Sequence, residues 1–384
     1  MIFRILEDQF AQKSKVSKAA DRRFMQLALT LGRRGQGRTW PNPAVGAVVV
    51  KDGVVVGRGW TQPGGRPHAE PEALRRAGEA AWGATLYVTL EPCSHVGKSP
   101  PCADAIMAAG IARVVSAIED PNPEVAGQGH ARLRAAGITV DIGLGALEAA
   151  HDHAGHFRRV RDQRPHVILK LAVSSDDKIG AAGRKPVAIS GEAAKARVHL
   201  LRAQCDAILV GIGTVLADDP LLTCRLPGME PQSPVRVVLD RSLRIPGTGR
   251  LVHSARETPL WVMTSNLSEA PAAMKLGAAG AHVTRVATTT TPPPGLDLAA
   301  VLHALSEKGI TRLLVEGGAR VASSFVAAGL ADEVWLLRSP DTIGADGIAA
   351  LDALPLSVLT GSPTFKQRAS EALQNDTLTI YERP

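Results

Sequence analysis

Aromatic residues are nearly missing from this chain: five Trp, two Tyr and six Phe, or 3% of 384 residues. Stacking platforms that hold single-stranded nucleic acid need such rings in clusters, and the sequence offers none. Cysteine is equally scarce, at four, which argues against a disulfide scaffold. No apolar run approaches the length of a membrane span. There is no block of Lys and Arg either. The net charge of +7 is scattered, and it suits phosphorylated small molecules better than a nucleic-acid strand. With so few rings, the cores must be built from Ala, Val, Leu and Ile. Residues 1–20 lack the apolar core of a secretory signal and carry acids early. They read as a flexible leader on a cytoplasmic chain.

What remains has the pattern of two α/β domains, the default for this length. Asp21 is placed to cap a helix through Phe24, Leu27, Ala28 and Leu31. A hairpin follows, with AVGAVVV (44–50) and VVVGRGW (54–60) joined at Asp52-Gly53, a favourable turn pair. Helices are expected around 68–78, from Cys102, and around 128–136. Strands are expected at 84–90, 112–118 and 138–144. The hairpin makes the sheet mixed and the unit three-layered, over residues 21–160. The charged, turn-rich run Arg161 to Pro165 marks a boundary. From 165 to 384 strands are expected at 166–174, 206–211, 235–240, 259–265, 312–318, 332–338 and 377–383. Helices are expected at 191–203, near 298–307 and through Phe325. Thr288 to Pro294 reads as a surface loop.

Three residues carry the chemistry. His68, Cys93 and Cys102 are one imidazole and two thiolates, a natural ligand set for one zinc ion. Three protein ligands leave the fourth tetrahedral position open, as in catalytic sites. Glu70, two residues past the histidine, can handle a water proton. A histidine, a glutamate and a Pro-Cys pair are the signature of zinc nucleobase deaminases, although those place two residues between the cysteines and this chain places eight. Residues i and i+2 lie roughly 200° apart on a helix. His68 and Glu70 therefore converge only at a helix N-terminus, and Cys102 also opens a helix. The site should lie between two such termini, whose positive ends favour thiolates. The rival reading is a zinc held for folding alone, with His95 as fourth ligand. Cys205 and Cys224 read as small buried hydrophobes.

The loop from Cys93 to Cys102 resembles that of the bifunctional riboflavin biosynthesis deaminase/reductase family. The matching stretches are PNPAVG (41–46), HAE (68–70), TLEPCSH (89–95), PPC (100–102) and DPNP (120–123). In the second half they are KLA (170–172), TVLADDP (214–220) and VEGG (315–318). The resemblance implies a cytidine-deaminase-like α/β/α domain followed by a dihydrofolate-reductase-like α/β domain. It implies zinc on His68, Cys93 and Cys102, with Glu70 moving protons. Asn42, His95, Lys98, Asp120 and Asn122 would touch the deaminase substrate, a small phosphorylated pyrimidine. NADPH would meet Ala172, Thr214, Asp218 and the run Gly318, Ala319, Arg320, Val321, Ala322, Ser323 and Ser324. Arg202, Leu222, Arg225 and Glu316 would hold the reductase substrate, and a homodimer would form through the reductase domain. The bare residues have plainer readings as well. Asn42 between two prolines is a turn former, Asp120 and Asn122 can shape a loop, and Glu316 can cap a helix. Leu216 stands where a dinucleotide fingerprint needs its third glycine. The chain departs from the family at Ser174-Ser175-Asp176-Asp177, usually Ser-Leu-Asp-Gly, and at Pro186-Val187-Ala188-Ile189.

Overall fold

A computed structural model describes residues 2–97, 99–123, 125–181, 189–289, 294–352 and 354–383, with side chains from Lys18 onward. The chain divides into two compact units, Met1–Asp162 and Gln163–Pro384.

Among the described residues the first unit has five strands: β1 (Gly46–Lys51), β2 (Val54–Trp60), β3 (Thr85–Val88), β4 (Arg113–Ser116) and β5 (Thr139–Ile142). Their order is β2-β1-β3-β4-β5. β1 runs antiparallel to both neighbours, and β3, β4 and β5 are parallel. The mixed sheet expected from the hairpin is present, with Asp52 and Gly53 both at positive φ in its turn. Alternate residues of β1 serve opposite layers, as the pleat requires. Ala47 and Val49 join Ala69, Ala73, Ala103, Ile106 and Leu133 on one face. Val48 and Val50 join Met25, Ala28, Leu29 and Ala149 on the other. Aliphatic side chains dominate both layers.

The helix Ala69–Ala77 lies directly on β2. A Cβ on Gly57 would fall 2.3 Å from the Ala73 carbonyl oxygen, and one on Gly59 would fall 2.3 Å from that of Ala69. The two glycines of VVVGRGW are therefore what lets the helix carrying Glu70 approach the sheet.

The N-terminal end differs from the expectation. The first helix runs Ile2–Arg33, so residues 2–20 are helical and continuous with it. Asp21 lies inside that helix and caps nothing. Its carboxylate receives Tyr87 and the Arg113 guanidinium, the latter at 2.9 Å. This cross-sheet pairing offsets the weak helix propensity of an interior Asp. Beyond β5, two further helices, Ala146–Asp152 and Ala154–Asp162, complete the unit.

The second unit holds β6 (His166–Val173), β7 (Lys178–Gly180), β8 (Ala207–Gly211), β9 (Val235–Leu239), β10 (Leu260–Ser265) and β11 (His282–Val286). It continues through β12 (Arg312–Val315), β13 (Glu333–Arg338), β14 (Ile348–Ala349), β15 (Lys366–Leu373) and β16 (Asp376–Glu382). Nine of these form one sheet in the order β11-β10-β9-β8-β12-β6-β13-β16-β15. The strands from β11 to β13 are parallel, and β16 and β15 add antiparallel. The chain leaves β8 for β9 on one side and leaves β12 for β13 on the other. Such a switch point opens a crevice beyond the carboxyl ends of the strands, where ligands bind in open α/β sheets. β15 escaped the sequence reading because it is an edge strand, mostly exposed and without apolar alternation. Of the expected surface loop at 288–294, residues 290–293 lie outside the described residues.

A buried ion pair anchors the start of this unit. Asp332 accepts two bonds from the Arg164 guanidinium, at 2.6 and 2.7 Å, and the Val167 N–H at 2.9 Å. Burial works to raise the Asp332 pKa, but these donors and His166 hold it below the ordinary carboxylate range. A depressed folded pKa means stability that is full above the unfolded value, about 3.9, and is lost as pH falls through the folded one. Asp332→Asn is therefore expected to flatten the acid limb of the unit's stability below about pH 4. Denaturant midpoints measured against pH check this; an unchanged acid limb would contradict it.

Candidate active sites

The first site sits between two helix N-termini, as the spacing argument required. His68 is the N-cap residue of Ala69–Ala77, and Cys102 is the first residue of Cys102–Ala108. The Cys102 amide N–H donates to Cys93 Sγ at 3.3 Å. His68 Nδ1 lies 3.8 Å from Cys93 Sγ and 3.3 Å from Cys102 Sγ. A tetrahedral zinc with bonds of about 2.1 Å to nitrogen and 2.3 Å to sulfur would space its ligands by roughly 3.5–3.8 Å. The donors therefore fit that ion in type, with the Cys93 separation at that spacing and the Cys102 one slightly shorter. His95 is exposed and lies outside this cluster, so the four-ligand folding site is not assembled.

Glu70 is 3% exposed. Burial pushes its carboxyl up to about 7, against the pull of His68, so it is poised both to take and to give a proton near neutrality. The Cys93 thiol is drawn down to about 4 by the Cys102 thiol and His68. Cys102 is pushed well above the usual thiol range by Cys93 and by burial. The two sulfurs compete for one negative charge, the conflict a divalent cation resolves.

The expected substrate residues are placed as follows. Asn42 donates from Nδ2 to the Gly65 carbonyl at 3.1 Å, and its own carbonyl accepts the Thr39 hydroxyl at 3.0 Å. Asp120, 8% exposed, accepts the Asn122 N–H at 2.9 Å and meets His156 Nε2 at 3.1 Å. Asp120 and Asn122 thus shape their loop, whatever else they do. Lys98 lies outside the described residues. Two neighbours were not anticipated. Arg66 donates to Ser99 Oγ within the Cys93–Cys102 loop, and its one sequence signal is its place two residues before His68. His156 comes from a helix that the sequence reading passed over.

The second site is a cavity of about 1410 Å³ at the switch point. Thr214, Asp218, Gly318, Ala319, Arg320, Val321 and Ser324 line it. Ala172, Ala322 and Ser323 are not among its lining residues. Ala322 is a core residue, and the Ser323 hydroxyl donates to the Asp352 carbonyl at 2.8 Å. A Cβ on Gly211 or Gly317 would fall 2.8 or 2.5 Å from the Val321 side chain, so these two glycines permit close packing. Leu216 opens onto the cavity from the helix Ile212–Asp218, which follows β8 directly. Arg241, Ser242 and Arg244, just past β9, also line it. Their positions became meaningful only once the strand order was known.

A polar group that includes Glu316, two residues before the cavity-lining Gly318, gathers the remaining residues. Arg202 binds Glu316 with both arms of its fork, at 2.7 and 3.0 Å, and donates to the Thr223 carbonyl at 3.1 Å. Burial works against the Glu316 charge, but Arg202 holds its pKa below the ordinary range. Lys170 Nζ is 4.0 Å from Glu316. The Arg225 N–H donates to His199 Nδ1 at 3.3 Å. Leu222 has its side chain buried and its backbone at φ 58°, so only its backbone is suited to a ligand.

Comparison with known proteins decides between the readings. The cytidine and deoxycytidylate deaminase zinc-binding region matches residues 18–118, and the RibD C-terminal domain matches residues 165–379. The riboflavin biosynthesis protein RibD of Aquifex aeolicus is 39% identical over 94% of this chain and 98% of its own length. That of Escherichia coli is 40% identical over 90% and 95%. The chain belongs to the RibD family. The solved Acinetobacter baumannii RibD superposes with a TM-score of 0.84 at 35% identity, covering 96% of this chain and 99% of that one. A Thermotoga maritima structure, described as a diaminohydroxyphosphoribosylaminopyrimidine deaminase/5-amino-6-(5-phosphoribosylamino)uracil reductase, gives 0.81 at 34% identity over 96% and 100%.

As a RibD-family member this is a bifunctional deaminase and reductase of riboflavin biosynthesis acting on small molecules, with zinc and NADPH as cofactors. No described helix is long and apolar enough to cross a membrane. One family departure now has a physical account. Asp177, where the family usually has Gly, adopts φ 61°, a conformation Asp tolerates better than most residues. Arg338 pairs with its carboxylate at 2.7 Å, so the turn is kept. Pro186, Val187 and Ala188 lie outside the described residues.

Proposed function

We propose that the first unit removes the 2-amino group of 2,5-diamino-6-(5-phosphoribosylamino)pyrimidin-4(3H)-one by hydrolysis. The second unit then reduces the resulting 5-amino-6-(5-phosphoribosylamino)uracil to its ribitylamino form. The reading rests on the His68–Cys93–Cys102 cluster with Glu70 buried beside it. The name of the Thermotoga maritima relative supports the substrates.

Zinc on His68, Cys93 and Cys102 supplies the Lewis acidity that makes water a competent nucleophile near neutral pH. Glu70 takes a proton from that water, delivers it to a ring nitrogen, and later protonates the departing amine. Water enters and ammonia leaves, with no change of oxidation state. Asn42, His95, Asp120 and Asn122 orient the pyrimidine ribotide, with Lys98 at its phosphate. When bound in the reductase, NADPH would supply a hydride for the ribosyl C1′ carbon, and one proton would complete the ribityl group. Arg202, Arg225, Glu316 and the Leu222 backbone hold the substrate, while Thr214, Asp218, Gly318, Ala319, Arg320, Val321 and Ser324, which line the cavity, hold the dinucleotide. Zinc ligation by two thiols suits a reducing compartment, and we place the enzyme in the cytoplasm. A homodimer through the reductase unit follows from the family resemblance.

Incubating the zinc-loaded protein with the diaminopyrimidine ribotide should release ammonia, and adding NADPH should then give its oxidation. No ammonia from protein with intact zinc would sink the deaminase assignment. Ammonia without NADPH oxidation would sink the reductase assignment.

Arg241 and Arg244 are the cations we assign to the NADPH 2′-phosphate, because they line the cavity beside Ser242. Replacing both by Ala should cut the preference for NADPH over NADH by about 10- to 100-fold, the worth of one charged hydrogen bond. Steady-state kinetics with the two cofactors measures this; an unchanged ratio would place the phosphate elsewhere.

A further inference from the structure

Glu91 sits two residues before the ligand Cys93 and has no part in the chemistry above. It is 4% exposed overall, with its side chain fully enclosed. Its carboxylate accepts three backbone N–H groups from one distant segment: Asp120 at 3.2 Å, Gly127 at 3.0 Å and His130 at 3.2 Å. Its own N–H donates to the Ile118 carbonyl at 3.0 Å. The segment cannot stand off, because helix Gln128–Ala135 begins against it. A Cβ on Gly129 would fall 2.0 Å from the Pro92 carbonyl oxygen. Arg132 of that helix donates to the Ser94 carbonyl at 3.1 Å. The Cys93 end of this loop is fixed in turn, since the Cys93 carbonyl accepts the Ala103 N–H at 3.2 Å.

Glu91 therefore joins two loops that the sequence keeps about thirty residues apart. One carries the zinc ligand Cys93; the other carries Asp120 and Asn122. Glu119 and His130 lie close enough to suggest a second metal group. The carboxylate is already engaged by three N–H donors, which leaves little for an ion, and a role within the known reaction fits better.

We propose that Glu91 is a positioning residue of the deaminase. By clamping the backbone from Asp120 to His130 it sets the distance between the Asp120–Asn122 loop and the zinc ligands, and with it the fit of the pyrimidine. This rests on the proposed contact of Asn122 and Asp120 with substrate. Glutamine is nearly isosteric with glutamate but offers one carbonyl oxygen and an NH2 group, so it cannot accept from both sides of the clamp. A buried N–H left without an acceptor is costly, and the loop should shift or loosen.

The test uses the full-length zinc-loaded chain carrying Glu91→Gln, with Asn122→Ala in parallel. Reductase turnover in the same chain reports on intact protein. For Glu91→Gln we expect one zinc per chain, unchanged reduction, and a deaminase KM raised at least tenfold (about 1.4 kcal/mol) with a smaller change in kcat. Hydrogen exchange should quicken over 118–131 and stay unchanged over 93–108. Asn122→Ala should raise KM as well. If Asn122→Ala raises KM and Glu91→Gln does not, the clamp is refuted while the substrate loop stands. If Asn122→Ala leaves KM unchanged, the loop does not touch substrate and the proposal falls with it. Loss of zinc with faster exchange across the whole unit would make Glu91 a folding residue only, which also overturns the proposal.

Discussion

Glu70→Gln is expected to stop ammonia release while the zinc stays bound. The substituted side chain has nearly the same size, and the proposed protein ligands of the metal are His68, Cys93 and Cys102. What is lost is a group that changes protonation state. General acid–base catalysis contributes about 10²- to 10⁴-fold, and the proposed mechanism gives Glu70 several proton transfers, so the fall should be at least about 10³-fold. The site was built for this: burial brings the carboxyl up to about 7, whereas an exposed glutamate would stay ionised and return protons reluctantly. The measurement is zinc content by elemental analysis beside ammonia release, with reduction in the second unit as internal control. Turnover within tenfold of the parent would remove Glu70 from its role.

Arg202→Ala should have the second-largest effect, confined to reduction. The change leaves the Glu316 carboxylate, 10% exposed at its side chain, without its two-armed partner. Breaking a buried pair in this way costs about 3–5 kcal/mol, seen as a lower denaturant midpoint for the second unit and as a KM for the uracil ribotide raised about 10²-fold or more. Arg202→Lys should recover little, because an ammonium cannot reproduce the planar fork. The double change Arg202→Met with Glu316→Leu separates the two roles. Apolar replacement of both partners is often neutral or stabilising, so stability should return while reduction stays impaired. Recovery of both would mean that the pair is structural alone.

Much of the deaminase half was legible in the sequence because its signals are local. His68 and Glu70 lie two residues apart, and Cys93 and Cys102 bracket one loop. The hairpin at Asp52-Gly53 announced itself by turn chemistry. The glycines at 57 and 59 were visible as letters but not as the seats of a helix, since nothing in the strand says which helix will cover it. The Asp21 cap misled for a related reason. An Asp before an apolar period looks like a helix start, yet here it faces Arg113, 92 residues away.

The reductase half hid more. Helix Ala270–Ala278 and strands β11 and β15 are partly exposed and carry weak periodicity. Arg241 and Arg244 looked like two surface cations after a strand. Glu91 lies inside the TLEPCSH stretch (89–95), but its three partners are 29 to 39 residues further along.

The sequence by itself determined the reaction type and the division into two α/β units, and it named the residues proposed as zinc ligands and proton carrier. Those follow from residue chemistry at short spacing and from apolar period. Only the tertiary structure decided that three ligands, and not four, converge, that the reductase cavity opens between β8 and β12, and that Glu91 ties the ligand loop to the loop of Asp120. Each depends on strand order and helix docking, which bring distant residues together through packing that leaves no mark at either end of the contact.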